Sequence, residues 1–253
     1  MDIAQSWNDK VLQPQIFSMM FLTFVLCVLA IFIYIKASKQ KVEEAPKGVL
    51  LYAEQYVIGV ENLVKDVSNG ELKKPTPYIF SLITILLFGN LLGLLGLEPI
   101  TSSYSVTLTL ALVTWIGTYV IGIAYSKIMY FKKYLINPMD AFSDLSPLIS
   151  LSMRIFGNIT GGSTLLYIVY YATGALWGKI PVIGQVNLLG SLIAMPLHAY
   201  FDIFGGLIQA YVFTLLTTVY WSLETEEGIS QRKSRVYKKE QRKIKKQTKL
   251  LRS

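Results

Sequence analysis

The sequence predicts an all-α membrane protein: about three ordinary transmembrane helices, one interfacial amphipathic helix, and a hairpin of two long tilted helices. Three observations carry this. Hydrophobic residues make up 53% of the 253 residues and charged residues only 16%, against roughly 25% charged in soluble domains. The apolar residues fall in runs long enough to cross a bilayer, which needs ~20 residues as a helix. The charge is confined: Ser230 to Ser253 hold 11 Lys/Arg and one acid, so the rest of the chain is close to neutral within a total of +8. A protein basic throughout, as nucleic-acid binders are, is excluded.

The first run, Val11 to Ile35, has 25 uncharged residues. It exceeds the apolar core of a secretory signal, and Asp2 and Asp9 spoil a positive leader. A permanent first helix is expected, with residues 1–35 as the outer N-terminus and first crossing. Lys36, Lys39, Lys41 and Lys47 close it. The lone Cys27 has no internal disulfide partner.

Residues 36–74 form the next segment. Apolar residues at 49, 53, 56, 57, 60, 63, 64 and 67 keep helical spacing, with Glu54, Glu61, Asn62, Lys65 and Asp66 opposite. Such a helix over Val49 to Val67 fits the membrane interface, or the surface of a neighbouring subunit. Residues 75–133 hold a helix pair. Pro75 to Leu97 is 23 uncharged residues, and Pro99 to Ser126 is 28. Gly89, Gly93 and Gly96 let helix backbones approach closely.

Residues 134–223 differ. Leu145 to Gly178 is 34 residues with one charge, Arg154, and Ile180 to Leu223 is 44 residues with one, Asp202. A single helix of the second length would run ~66 Å against a ~30 Å hydrocarbon core. Either it crosses twice, or both segments are long helices tilted far from the membrane normal. Pro181 and Gly184 mark a turn between them, and Pro196 is placed to kink the second. Lys/Arg placement favours the tilted hairpin. Ten lie in the two connecting stretches Lys36–Lys74 and Lys127–Lys133, eleven in the tail, and only Lys10 and Lys179 on the opposite side. The N-terminus is then outside and the tail, 224–253, cytoplasmic. The tail reads as a solvated helix or coil, or as a partner for anionic headgroups or a stalk-like protein. Its single aromatic, Tyr237, argues against nucleic acid.

Arg154 is the most informative residue. A guanidinium at a helix centre in lipid costs at least ~2.5–3.5 kcal/mol and does not deprotonate to escape. It must face protein or water, and Ser150, Gly157, Asn158 and Gly161 share its face. In the second long segment His198, Asp202, Gly205 and Gln209 are spaced 4, 3 and 4, which puts them on one face of a regular helix. An acid and an imidazole one turn apart can relay protons. A salt bridge from Asp202 to Arg154 is the bland alternative. There is no phosphate loop, metal-ligand cluster or nucleophile elbow, so no metal, no cofactor and no catalysis by this chain alone are expected.

Ser146-Pro-Leu-Ile-Ser-Leu-Ser-Met-Arg-Ile-Phe-Gly-Asn158, followed by Gly161-Gly162, resembles the P-L-S-L-x-L-R-L-F-G-N signature of subunit a of F-type ATP synthases. Phe88-Gly-Asn-Leu-Leu-Gly93 is similar to that family's N-L-L-G segment. Gln209-Ala-Tyr-Val-Phe-Thr-Leu-Leu-Thr-Thr-Val-Tyr220 is similar to its Q-A-F-I-F-x-x-L-T-x-x-Y stretch. The resemblance covers about residues 75–223. It implies a proton-translocating stator subunit in a bacterial cell membrane. The implied partners are the c-ring, peripheral-stalk subunits, the soluble ATPase sector and lipid.

By this resemblance Arg154 meets each ring carboxylate and blocks a direct leak between two half-channels. Asn158 and Gln209 match polar positions beside it. Two positions depart from the common pattern. Ser163 stands nine residues after the arginine, where many members have Glu. Asp202 stands seven before the glutamine, where many have His. The resemblance and these departures imply that Asp202, His198 and Ser163 line the outer half-channel, with Asp140, Asp144 and Ser150 as inner candidates. The rival reading is an unrelated multi-pass transporter using Arg154 to bind an anionic substrate.

Overall fold

The computed structural model describes residues 14–41, 45–72, 74–126, 145–177 and 187–250. Among these every regular element is helical. Helix α1 (Pro14–Ser38) is apolar on almost every side. Met20, Phe24 and Tyr34 stand exposed, and Ser18 and Leu22 form its buried face. Leu22 packs with Leu92 and Ile100. Lys36 in the last turn suits the negative end of the helix dipole.

The amphipathic run forms α2 (Val49–Ser68), which buries Val60, Val64 and Ser68. It stops because Asn69 and Gly70 both turn to positive φ, and the Gly70 amide donates back to the Lys65 carbonyl at 3.1 Å. Val64 joins Leu72, Ile79 and Trp221 in a small core.

Helix α3 (Thr76–Leu91) starts at a proline, where a missing amide costs nothing. It tightens into a 3₁₀ turn (Leu92–Leu95) that ends at Gly96, with φ +74°. A second short turn (Ile100–Ser102) leads into α4 (Tyr104–Ser126). The close approach allowed for in this region occurs at Gly89, where an added Cβ would sit 2.5 Å from Ile100 Cδ1.

Helix α5 (Ser146–Trp177) carries Arg154. The last segment begins with α6 (Leu188–His198), capped by the Asn187 side chain, which accepts from the Gly190 amide at 2.9 Å. Pro196 lies inside α6 and takes one amide from its ladder. A π turn (Ala199–Gly205) follows, and then α7 (Gly206–Leu250). Helix α7 has 45 residues, ~67 Å at 1.5 Å per residue. It runs without a break past residue 224 into the basic tail, which is helical as far as Leu250.

Helices α3, α4, α5 and α7 meet in one core: Leu82, Leu86, Ala111, Leu151, Ile155, Ala210 and Phe213. The α4–α7 seam is lined by threonines. Thr114, Thr118, Thr214, Thr217 and Thr218 are buried. Most of their hydroxyls return to carbonyls four residues back, as Thr118, Thr214, Thr217 and Thr218 do. Small residues with self-satisfied hydroxyls allow close helix contact without stranding a polar group. Trp221 lies over Gly117, where any Cβ would collide with its ring, and its Nε1 donates to the Thr114 carbonyl at 3.0 Å.

Among the described residues four stretches are long and apolar enough to cross a membrane: Gln15–Ser38, Thr76–Leu95, Tyr104–Ser126 and Leu189–Arg235. Helix α5 is not among them, because Arg154, Asn158 and its Ser, Thr and Gly residues dilute it. The turn expected at Pro181 and Gly184 lies outside the described residues.

Candidate functional site

The site is built where the π turn meets α3 and α5. In the π turn Asp202 is displaced from regular helical register. Its Oδ2 lies 3.3 Å from His198 Nδ1. Side-chain exposures are 24% for Asp202 and 47% for His198, so the pair is neither sealed nor free in solvent. Both line a cavity of about 510 Å³. From α5, Asn158 and Ser163 also line it. Four of the six residues singled out from the sequence therefore share one space.

Three glycines shape that space. An added Cβ on Gly93 would sit 3.5 Å from Asp202 Cγ, so the carboxyl lies directly against this glycine. A Cβ added at Gly162 would sit 3.1 Å from the Phe201 ring, and one at Gly205 would sit 3.1 Å from Asn158 Nδ2. Side chains at Gly162 and Gly205 would press α5 and the π turn apart, whereas at Gly93 only a side chain longer than a methyl would crowd the carboxyl. Ser163 donates to the Ile159 and Thr160 carbonyls, which leaves its oxygen lone pairs for the cavity.

Arg154 stands apart. It is exposed on α5 and does not line the cavity. It has no ion-pair or hydrogen-bond partner among the described residues. A Cβ built on Gly157 or Gly161 would meet nothing within 4 Å. The guanidinium thus projects from an open face floored by small residues. The Asp202–Arg154 salt bridge does not form, since the partner of Asp202 is His198.

Gln209 also departs from expectation. The spacing alone puts it on the His198–Asp202 face. The structure instead buries it to 4% exposure outside the cavity, with Nε2 unpartnered among the described residues. The π turn is the physical reason. Each π turn takes in one extra residue, about 100° of α-helical rotation, so residues beyond it leave the stripe counted at 3.6 per turn. Ser150 sits half-exposed on α5, and Asp140 and Asp144 lie outside the described residues.

The structure adds residues that the sequence reading used differently or passed over. Asn90 is buried, accepts from Thr101 Oγ1, and donates from Nδ2 to the Gly206 carbonyl at 3.4 Å. It ties α3 to the end of the π turn and lines the cavity. It is the one amide in the run Pro75–Leu97, and that was the available signal. Glu98 and Ser102, beyond the 3₁₀ turn, and Gln15 on α1 complete the polar lining. Only the fold brings them there.

Residues 17–222 match the family described as ATP synthase A chain. The chain belongs to the ATP synthase A chain family. The match takes in Arg154, Asp202 and all of the cavity lining but Gln15, and ends before the basic tail. Among curated relatives, ATP synthase subunit a of Mycoplasmoides gallisepticum is 31% identical over 237 residues, covering 85% of this chain and 80% of its own. The protein of the same name from Mycoplasma pneumoniae is 29% identical, covering 89% and 83%. That of Syntrophobacter fumaroxidans is 27% identical, covering 87% of each. Family membership displaces the unrelated-transporter reading.

Proposed function

We infer that the chain is the proton-translocating subunit a of an F-type ATP synthase, a membrane component that couples proton flow to ATP synthesis carried out elsewhere in the complex. The finer mechanism is our proposal. Protons enter from outside through the cavity lined by Ser163, Asn158, His198 and Asp202. They pass to a carboxyl on a rotating ring of small subunits and leave through a second half-channel. Arg154 sits between the two paths. The open face around it is where the ring would pass.

One observation carries this reading: a guanidinium without a partner among the described residues, on an open, glycine-floored face beside, but not inside, a polar cavity that holds an acid–imidazole pair. An arginine inside the cavity would pair with Asp202 and trap it. An arginine outside it is free to attract a carboxylate on a partner. At ~4 Å and an effective dielectric of ~20, that attraction is ~4 kcal/mol, comparable with the ~2.3 kcal/mol that each proton gains per 100 mV. It is large enough to bias a ring carboxylate and small enough to be overcome.

The orientation is also proposed: N-terminus outside, C-terminus cytoplasmic, in a bacterial cell membrane. Its support is the placing of Lys74, Arg232 and Arg235 around one pocket at the α4–α7 crossing, on the side where the sequence also puts the basic tail. The positive end faces the cytoplasm. The c-ring, the peripheral stalk and, through the complex, the soluble ATPase sector are the proposed partners.

The test is ATP-driven proton pumping by vesicles carrying the whole complex, wild type against Arg154→Ala at equal assembly. Pumping should be lost. Pumping retained at the wild-type rate would overturn the proposed role of Arg154.

A further inference from the structure

About midway along α7, well beyond the cavity, lies a second pocket, of about 530 Å³. It forms where the last turn of α4 crosses α7. The crossing is close because residue 228 is glycine: a Cβ there would sit 2.6 Å from Tyr125 Cβ and 3.0 Å from Ser126 Oγ. Lys74, Arg232 and Arg235 line this pocket, and among the described residues no acid does. Lys74 precedes α3, so chain segments far apart in sequence bring like charges together. Arg232 and Arg235 are three apart and therefore neighbours on one face of α7. None of the three has an ion-pair or hydrogen-bond partner among the described residues.

Three cations around one pocket, without a counter-charge among the described residues, repel one another, and the pocket has room for an anion between them. Guanidinium groups match phosphate oxygens in a fork, the ammonium adds a point charge, and the Ser126 hydroxyl supplies a neutral donor. The pocket's depth indicates where the phosphate comes from. It lies at the last residue of α4, an apolar helix long enough to span. Gly228 is 22 residues along α7 from Gly206, ~33 Å at 1.5 Å per residue. That is about one hydrocarbon thickness, ~30 Å, the separation that a pocket among the headgroups requires. Arg232 and Arg235 also lie beyond the family match, which ends at residue 222.

We propose that this pocket binds a phosphate anion, presented by the headgroup of an anionic phospholipid. It would fasten the root of the tail to the cytoplasmic leaflet and hold the α4–α7 crossing in place.

The test uses the intact complex in phosphatidylcholine vesicles doped with photoreactive phosphatidylglycerol. Labelled peptides should map to Tyr125–Ser126 and Gly228–Arg235. The triple variant Lys74→Gln, Arg232→Gln, Arg235→Gln should lose that labelling about tenfold or more, since each surface cation contributes several-fold to anionic-lipid binding. The charge-keeping variant Lys74→Arg, Arg232→Lys, Arg235→Lys should retain it within a few-fold. Added salt should weaken wild-type labelling, a reading that does not depend on the variants assembling. A second arm measures inorganic phosphate binding by equilibrium dialysis in vesicles of phosphatidylcholine alone. Phosphate bound there, lost in the triple variant and without lipid labelling, would keep the anion site and overturn the lipid as its source. The proposal fails if photoreactive phosphatidylcholine labels the same peptides equally. It fails too if the glutamine and charge-keeping variants behave alike, or if these residues crosslink to another subunit in place of lipid.

Discussion

His198 Nδ1 faces Asp202 Oδ2 at 3.3 Å across the point where α6 becomes a π turn. In an α-helix the two residues would already be neighbours, four apart. Here the π turn adds a second effect. It carries Asp202 against Gly93 of the 3₁₀ turn, so the carboxyl ends between two elements instead of on an open helix face. Proline at 196 precedes this irregular turn, and such turns collect at functional sites.

Asp202→Asn keeps the shape of the side chain and removes its ability to exchange a proton. ATP-driven proton uptake by vesicles should slow about 100-fold, the low end of what a positioned proton-transfer group contributes. Assembly, followed by native electrophoresis, should not change. Wild-type pumping in this variant would remove Asp202 from the path.

Gly93→Leu tests the cavity separately from the acid. A branched side chain beginning 3.5 Å from the Asp202 carboxyl carbon would fill the polar space between them. Proton flux should fall by roughly the amount seen for Asp202→Asn, although no ionisable group has changed. Gly93→Ala, with only one added carbon at ordinary contact distance, should pump close to normally. Equal rates for the leucine and wild-type complexes would mean that protons do not pass through this cavity.

Asn90→Ala removes the acceptor of Thr101 Oγ1 and the donor to the Gly206 carbonyl. Thr101 is fully buried, and a stranded buried hydroxyl costs about 1–3 kcal/mol. Thermal unfolding of the purified complex should show a lowered midpoint for this chain. Asn90→Asp, which keeps the acceptor and loses the donor, should fall between. An unchanged midpoint for the alanine variant would show that the α3–π-turn tie carries no stability.

Tyr56 gives a pH prediction outside the membrane spans. Burial between α2 and α3 pushes its phenol above the ordinary 10.0, and the hydrogen bond with Thr84 Oγ1, 3.0 Å long, offsets part of this. A raised acid pKa in the fold means that the neutral phenol is the favoured form. The docking of α2 is therefore fully present below pH 10 and weakens as the pH rises through the raised value. Hydrogen exchange over Val49–Ser68 should quicken in that window in wild type. In Tyr56→Phe that alkaline step should be missing, and its persistence would assign it to another group.

The apolar runs, the amphipathic stretch and the signature around Arg154 were legible because each is local. Run length announces a span, a 3.6-residue period announces α2, and a lone charge in an apolar run announces function. Helix α2 begins at Val49 as its period predicts and ends one residue past the last apolar position. Gln209 was not legible. Its place on a stripe assumed a regular helix, and the π turn is a backbone choice that no side-chain period reports. Asn90 was visible only as an amide among apolar residues. Its bonds to Thr101 and to Gly206, 116 residues away, had no counterpart in any local pattern.

By itself, then, the sequence determined that this is an all-helical membrane chain, which family it belongs to, and which ionisable residues had to be explained. Those properties follow from the cost of exposing charge and backbone to lipid, a cost that each segment meets alone. The tertiary structure decided which of those residues share a space. Asp202, His198, Ser163 and Asn158 line one cavity, Arg154 faces outward, and Lys74 shares a pocket with Arg232 and Arg235. These groupings depend on where helices cross and on one irregular turn, and the crossings are set by contacts between residues distant in the chain: Trp221 over Gly117, Tyr125 against Gly228, and Asn90 on Gly206.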